Sequence, residues 1–199
     1  MRPFALAISF FLLFSDCQTD FQPKTLFEEI SAEKSGINFI NKVENTEDFN
    51  IFNYRNFYNG GGVAMGDLNN DGLPEVFLTS NMGDNKLYLN KGNLQFEDIT
   101  DKAGVAGAKF WSTGVVLADI NADGFLDIYV CNAGYKKDEK PNNELFINNG
   151  DLTFTEKAAE YGLNEDGYTT HAAFFDYDLD GDLDCYILNN SFMPVNTLN

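Results

Sequence analysis

Three nine-residue segments carry oxygen-bearing side chains at the same alternating places: Asp67-Leu-Asn-Asn-Asp-Gly-Leu-Pro-Glu75, Asp119-Ile-Asn-Ala-Asp-Gly-Phe-Leu-Asp127 and Asp176-Tyr-Asp-Leu-Asp-Gly-Asp-Leu-Asp184. Counting each from its first residue, Asp stands at position 1, Asn or Asp at 3, Asp at 5, Gly at 6 and a carboxylate at 9. Calcium takes roughly six to eight hard oxygen ligands in flexible geometry, and a loop of this kind aims positions 1, 3 and 5 at one point. Gly72, Gly124 and Gly181 permit the sharp turn this requires. Position 7 donates a main-chain carbonyl, so Leu73, Phe125 and Asp182 qualify whatever their side chains are. A helix–loop–helix calcium loop ends on a bidentate Glu at about position 12; here that place holds Leu78, Val130 and Ile187. The late carboxylate arrives early, as Glu75, Asp127 and Asp184. That excludes the helical sensor and predicts a compact metal loop inside a β-hairpin. The candidate ligands are Asp67, Asn69, Asp71, Leu73 and Glu75, then Asp119, Asn121, Asp123, Phe125 and Asp127, then Asp176, Asp178, Asp180, Asp182 and Asp184.

Charge argues for the same chemistry. The third segment sets five Asp residues at alternating positions. Like charges about 5 Å apart repel by about 1 kcal/mol in water and several-fold more near a protein surface. A cation turns that repulsion into a ligand set. Asp-Gly and Asn-Gly are also ordinary turn formers, and for one loop that reading would suffice. Three loops with one pattern favour Ca2+ at up to three sites. The third, with the most carboxylates, is expected to bind tightest, and affinities of about 0.1 to 1 mM suit an extracellular module.

Each loop lies between short apolar runs: Val63–Met65 and Val76–Thr79, Val115–Ala118 and Ile128–Val130, Ala172–Phe175 and Tyr186–Leu188. Such runs, rich in Val, Ile, Phe and Tyr and bounded by Gly and Asp, suit fully buried strands. A second repeated stretch, Asn85 to Phe96 and again Asn143 to Phe154, adds another hairpin with an Asn-Lys-Gly or Asn-Asn-Gly turn. One repeat is thus four short strands, the content of a propeller blade. Both second hairpins lead to a stretch ending in Gly104-Val105 or Gly162-Leu163, with a fainter copy at Phe27–Ile30 and Gly36-Ile37. The second repeat is longer than the first, and the surplus is assigned to the charged, Pro141-containing connection 136–142. Helix is expected to be scarce, at 27–34 or around 157–161. Three cysteines occur; Cys131 and Cys185 read as small core residues, with a disulfide as the alternative.

The loops, with Tyr58-Asn-Gly-Gly-Gly-Val-Ala-Met-Gly-Asp67, Asn81 to Asn90 and Phe96 to Gly104, resemble the FG-GAP/VCBS repeat family and, more narrowly, exported bacterial proteins of the ASPIC/UnbV type. The resemblance covers roughly residues 25 to 192. It implies an all-β fold, a partial β-propeller of four-stranded blades with calcium loops in β-hairpins, as in the integrin α-subunit head. It also implies the ligand sets named above, with Glu75 in place of the usual Asp. Propellers of this kind close with about seven blades. The chain holds two repeats and part of a third, without the C-terminal module of that type, so it is expected to be a fragment of a longer protein. The organisation expected is a targeting segment at 1–17, an N-terminal segment with a partial blade ending at 18–57, blades at 58–110 and 111–167, and an incomplete blade at 168–199.

Composition narrows the partners. Net charge is −18, from 31 acidic and 13 basic residues. Neutralising phosphates needs a basic stripe that is absent, which excludes nucleic acid and disfavours anionic lipid headgroups. The start, Met1-Arg2 followed by an apolar run from Phe4 to Phe14, reads as an export signal. Cys17 after it resembles a lipoprotein processing site, although Asp16 stands where a small residue is usual. The alternatives are a plain secretory signal or an uncleaved anchor. Membrane contact is expected only through a lipid on Cys17, placing the protein at the outer membrane or cell surface, or otherwise in the periplasm or secreted. Catalysis is not expected: the one histidine is His171, Ser112-Thr113 has no neighbouring base, and Gly60-Gly-Gly62 precedes a strand. The function expected is a cell-surface binding or scaffold module for a protein or glycan ligand. The alternative is the calcium-stabilised part of a larger enzyme, such as a polysaccharide-acting hydrolase.

Overall fold

The computed structural model describes residues 25–134 and 140–191. The targeting segment with Cys17, most of the 136–142 connection and the residues after 191 lie outside that range. Among the described residues the chain is all-β apart from two single helical turns. Strands β1 (Val63–Gly66), β2 (Glu75–Leu78), β3 (Lys86–Asn90) and β4 (Phe96–Asp98) form one antiparallel meander. Strands β5 (Ser112–Ala118), β6 (Asp127–Asn132), β7 (Glu144–Asn148) and β8 (Phe154–Glu156) form the second. Strands β9 (Tyr168–Phe175) and β10 (Asp184–Asn190) form a two-stranded third.

The repeat seen in the sequence is a repeat of register. The first hairpin of each sheet closes on the same pair: Gly66 opposite Glu75, Ala118 opposite Asp127, Phe175 opposite Asp184. Position 9 of each acidic segment is therefore the first residue of the returning strand. The second hairpins close on Asn90 opposite Phe96 and Asn148 opposite Phe154. Strand β5 starts three residues before the expected run, through an irregular pairing between Ser112 and Val115, and β9 begins at Tyr168.

Helix α1 is one turn, Ala32–Ser35, capped by Ser31, whose hydroxyl accepts from Lys34 N at 3.3 Å. The rest of the expected 27–34 helix does not form. Residues 157–161 make hydrogen-bonded turns instead of a helix. The second turn of helix, α2 (Thr100–Ala103), escaped the sequence reading although it ends like α1, on a left-handed glycine: Gly36 at φ 79° and Gly104 at φ 76°. The faint N-terminal copy of the repeat ending is thus a structural copy.

Strand β6 explains how the sheets stack. Ile128 and Val130 face a core shared with the first sheet, built from Phe77, Leu87, Val105 and Phe146. Tyr129 and Cys131 face a second core, shared with Ala172 and Ile187 of the third sheet. All six residues of β6 and all five of β7 are buried, because both faces of the middle sheet are covered. The expectation of full burial fails for β1, where Val63 and Met65 are 63% and 62% exposed, and for the third sheet, where Phe175, Tyr186 and Leu188 are exposed. Cys131 and Cys185 are free thiols of the second core; burial raises them to about 12 and about 11. The first strands of the three sheets, β1, β5 and β9, lie side by side. Glycines set their spacing: a Cβ on Gly62 would sit 2.7 Å from the Thr113 carbonyl oxygen, and one on Gly114 2.5 Å from that of Thr170. Gly61 and Gly62 therefore pack backbone on backbone, as the place of this run before a strand suggested, while Gly60 has open space around it.

Candidate metal centres

All three acidic loops fold alike. Position 6 takes a left-handed backbone in each, with φ of 86°, 92° and 99° at Gly72, Gly124 and Gly181. Position 4 does so as well, at Asn70 (60°), Ala122 (57°) and Leu179 (64°). In the first loop the Asp67 carboxylate accepts Asp71 N at 3.1 Å and Gly72 N at 2.7 Å. In the second Asp119 accepts Asp123 N at 3.0 Å and Gly124 N at 2.9 Å. In the third Asp176 accepts Asp180 N and Gly181 N, both at 3.2 Å. Position 5 accepts the amide of position 7 in every loop: Leu73 N on Asp71, Phe125 N on Asp123, Asp182 N on Asp180. The conformation that brings the acids together is thus held by their own main-chain donors.

Position 9 has two tasks. Glu75 is buried and accepts Leu68 N at 2.8 Å on one oxygen and Asn90 N at 3.4 Å on the other. Asp127, also buried, accepts Ile120 N at 2.9 Å and Asn148 N at 2.8 Å. Burial pushes both carboxyls above the ordinary range; these amides pull them back in part, and the acids at positions 1 and 5 add to the upward push. Asp184 accepts Tyr177 N at 2.8 Å in the same way. Each closing carboxylate staples position 2 of its loop, and in the first two sheets it also staples the end of the third strand.

The structure gathers the predicted ligands most tightly in the third loop. One oxygen each from Asp176, Asp178 and Asp184 lies within 4.8 Å of the others, the one such acidic group among the described residues. Asp182 projects beside Asp180, whose charge raises its carboxyl above the ordinary range. In the first two loops the Asn at position 3 donates to position 5, Asn69 Nδ2 to Asp71 at 3.0 Å and Asn121 Nδ2 to Asp123 at 2.8 Å. Two oxygens sharing one calcium at about 2.3–2.6 Å can be no more than about 5 Å apart, so the third loop already has the dimensions of a cage.

Sequence reasoning missed two residues that shape these loops. Asn90 and Asn148 end the third strand of their sheets, and each side-chain amide donates to the position-8 carbonyl of its own loop, Pro74 O at 2.9 Å and Leu126 O at 3.1 Å. Their signal was present in the aligned Leu-Asn-Lys-Gly and Ile-Asn-Asn-Gly turns, where they read as turn formers. Trp111 is core. It packs buried among Phe49, Tyr54, Phe57 and Phe110, beyond the far end of β5 from the acidic loop.

Comparison with known proteins places this arrangement. Residues 45–130 and 133–187 match the family model described as FG-GAP-like repeat. The chain is 32% identical over 142 residues to cartilage acidic protein 1 of Xenopus tropicalis, covering 69% of this chain and 21% of that protein. It is 38% identical over 72 residues to the human cartilage acidic protein 1, covering 36% of this chain and 11% of the relative. The chain therefore spans about a fifth or less of the length of the curated relatives it matches.

Proposed function

The chain belongs to the FG-GAP-like repeat family, and on that premise we propose that it is an exported calcium-binding module that presents a binding or scaffold surface and performs no catalysis. The observation that carries the calcium reading is the third loop, where carboxylate oxygens of Asp176, Asp178 and Asp184 stand within 4.8 Å of one another. Hard, anionic oxygens at that spacing fit calcium and do not fit a metal that prefers nitrogen or sulfur. Asp180 and the Asp182 carbonyl complete that set. Asp67, Asn69, Asp71, Glu75 and the Leu73 carbonyl form the first site by the shared register, and Asp119, Asn121, Asp123, Asp127 and the Phe125 carbonyl the second. A bound ion supplies positive charge to each acidic turn; the protein's own residues fix the turn and close it onto the returning strand.

Export is supported by the apolar run at the start of the chain, with Cys17 as the residue that would carry a lipid, and by likeness to a protein named for cartilage. The blades belong to a propeller whose loops present a site for a protein or glycan. No helix among the described residues is long and apolar enough to cross a membrane. A non-catalytic role is supported by His171, an exposed residue of β9 that lies against Gly114 of the neighbouring strand.

Calorimetric titration with calcium, paired with thermal melts in chelator and in millimolar calcium, tests this reading. Binding at ten to a hundred times Kd stabilises by about 1.4–2.7 kcal/mol per site. Melting temperature is expected to rise on adding calcium, and to rise less in the Asp176→Ala/Asp180→Ala variant. Coincident melts with no heat of binding would sink the proposal.

A further inference from the structure

The first two metal loops are not separate. Leu68, position 2 of the first loop, donates its N–H to the closing carboxylate of Glu75 at 2.8 Å, while its carbonyl accepts Asn148 Nδ2 of the second sheet at 2.8 Å. Asn148 in turn donates its own N–H to Asp127, the closing carboxylate of the second loop, at 2.8 Å, and a side-chain hydrogen to Leu126 O at 3.1 Å. Glu75, Leu68, Asn148 and Asp127 are all buried. One continuous, desolvated run of hydrogen bonds therefore joins the closing acid of the first site to that of the second. A second link crosses at the surface, Asn70 Nδ2 to the Gly124 carbonyl at 3.0 Å, from position 4 of one loop to position 6 of the next.

From this we infer that the first two sites fill as a coupled pair, with Asn148 the positioning residue that joins them. The inference rests on the calcium reading of the loops. Physically, an ion at the second site orders Asp127 and through it Asn148, so the Leu68 turn that the first site needs is already held. By reciprocity the first ion favours the second to the same degree. A buried network of this kind has few alternative partners, which makes it a stiff transmitter.

The test uses the full chain with Asp176→Ala, which leaves only the two linked sites, titrated calorimetrically with calcium chloride. Adding Asp119→Ala isolates the first site, and adding Asp67→Ala isolates the second. The expected result is that each isolated site binds calcium about 5- to 10-fold more weakly than it does in the two-site protein, within the usual range for coupled sites. Introducing Asn148→Ala into the two-site protein should leave two binding events whose affinities no longer depend on each other. Asn70→Gly, which keeps the left-handed backbone and lies at the surface, should reduce the coupling without loss of fold if Asn148→Ala proves unstable. Isolated sites whose affinities match those in the two-site protein within twofold would overturn the inference while leaving calcium binding intact. An absence of calcium heat in every variant would instead overturn the calcium reading itself.

Discussion

Position 4 of the acidic loops shows how a single backbone angle can be held against its own preference. An L-residue in the left-handed region pays about 1–2 kcal/mol, and Asn tolerates it best, yet the three loops place Asn70, Ala122 and Leu179 there at nearly equal φ. Asp67, Asp119 and Asp176 hold the turn in place by accepting the amides of positions 5 and 6. Ala122→Gly removes the Cβ that makes the angle costly and gives back part of the gain as chain entropy. It should stabilise the chain by about 0.5–1 kcal/mol, read as a raised urea midpoint with an unchanged slope. Asn70 alone hinted at this angle in the sequence; Ala122 and Leu179 gave no sign, because the constraint comes from the loop's hydrogen bonds and not from the residue that bears it. Positions 1, 5, 6 and 9 were legible for the opposite reason, since their chemistry is their side chain or its absence. What the sequence could not convey at position 9 was the double duty, in which the acid that closes the loop also ties down Leu68 or Ile120.

Strands were legible as apolar runs, although β5, β9 and β10 extend beyond theirs, largely through polar residues. Their neighbours were not. The pattern in β6 is four consecutive apolar residues, Ile128 to Cys131, which says that both faces are covered without saying by what. The same composition in β1 led to an expectation of burial that Val63 and Met65 contradict. Contact between inner strands also depends on residues that carry no hydrophobic signal. Gly114 lets β9 approach so closely that a methyl group would stand 2.5 Å from the Thr170 carbonyl and 2.9 Å from His171 Nδ1. Gly114→Ala must push the third sheet away or distort β5, at a cost of about 1–3 kcal/mol. The expected outcome is a lower urea midpoint together with earlier proteolysis within β9 and β10. Cleavage and midpoint both unchanged would show that the sheets slide apart without cost.

At the scale of the whole chain the sheets are joined by buried polar contacts as well as by apolar cores. Glu144 at the start of β7 makes one of them, accepting Ala108 N at 2.8 Å from the strap between the first two sheets, and it also accepts Asn132 Nδ2 of its own sheet at 3.2 Å. Burial raises its carboxyl above the ordinary 4.5, against the pull of those donors. The folded chain thus holds this proton more tightly than the unfolded chain, so the group adds stability below 4.5 and loses it as pH rises through the folded value. In chelator, Glu144→Gln should flatten the part of the stability profile that declines above pH 4.5, measured by urea unfolding at successive pH values. A profile of the parent chain that climbs over that interval and is unaltered by the substitution would contradict this. The bond from Asn148 to Leu68 has a consequence in time as well as in space. Its two residues are separated by 80 positions in the chain, so during vectorial synthesis the first acidic turn can gain this bond only after the following sheet has been delivered. The first sheet is thus completed by the second, which the chain delivers after it.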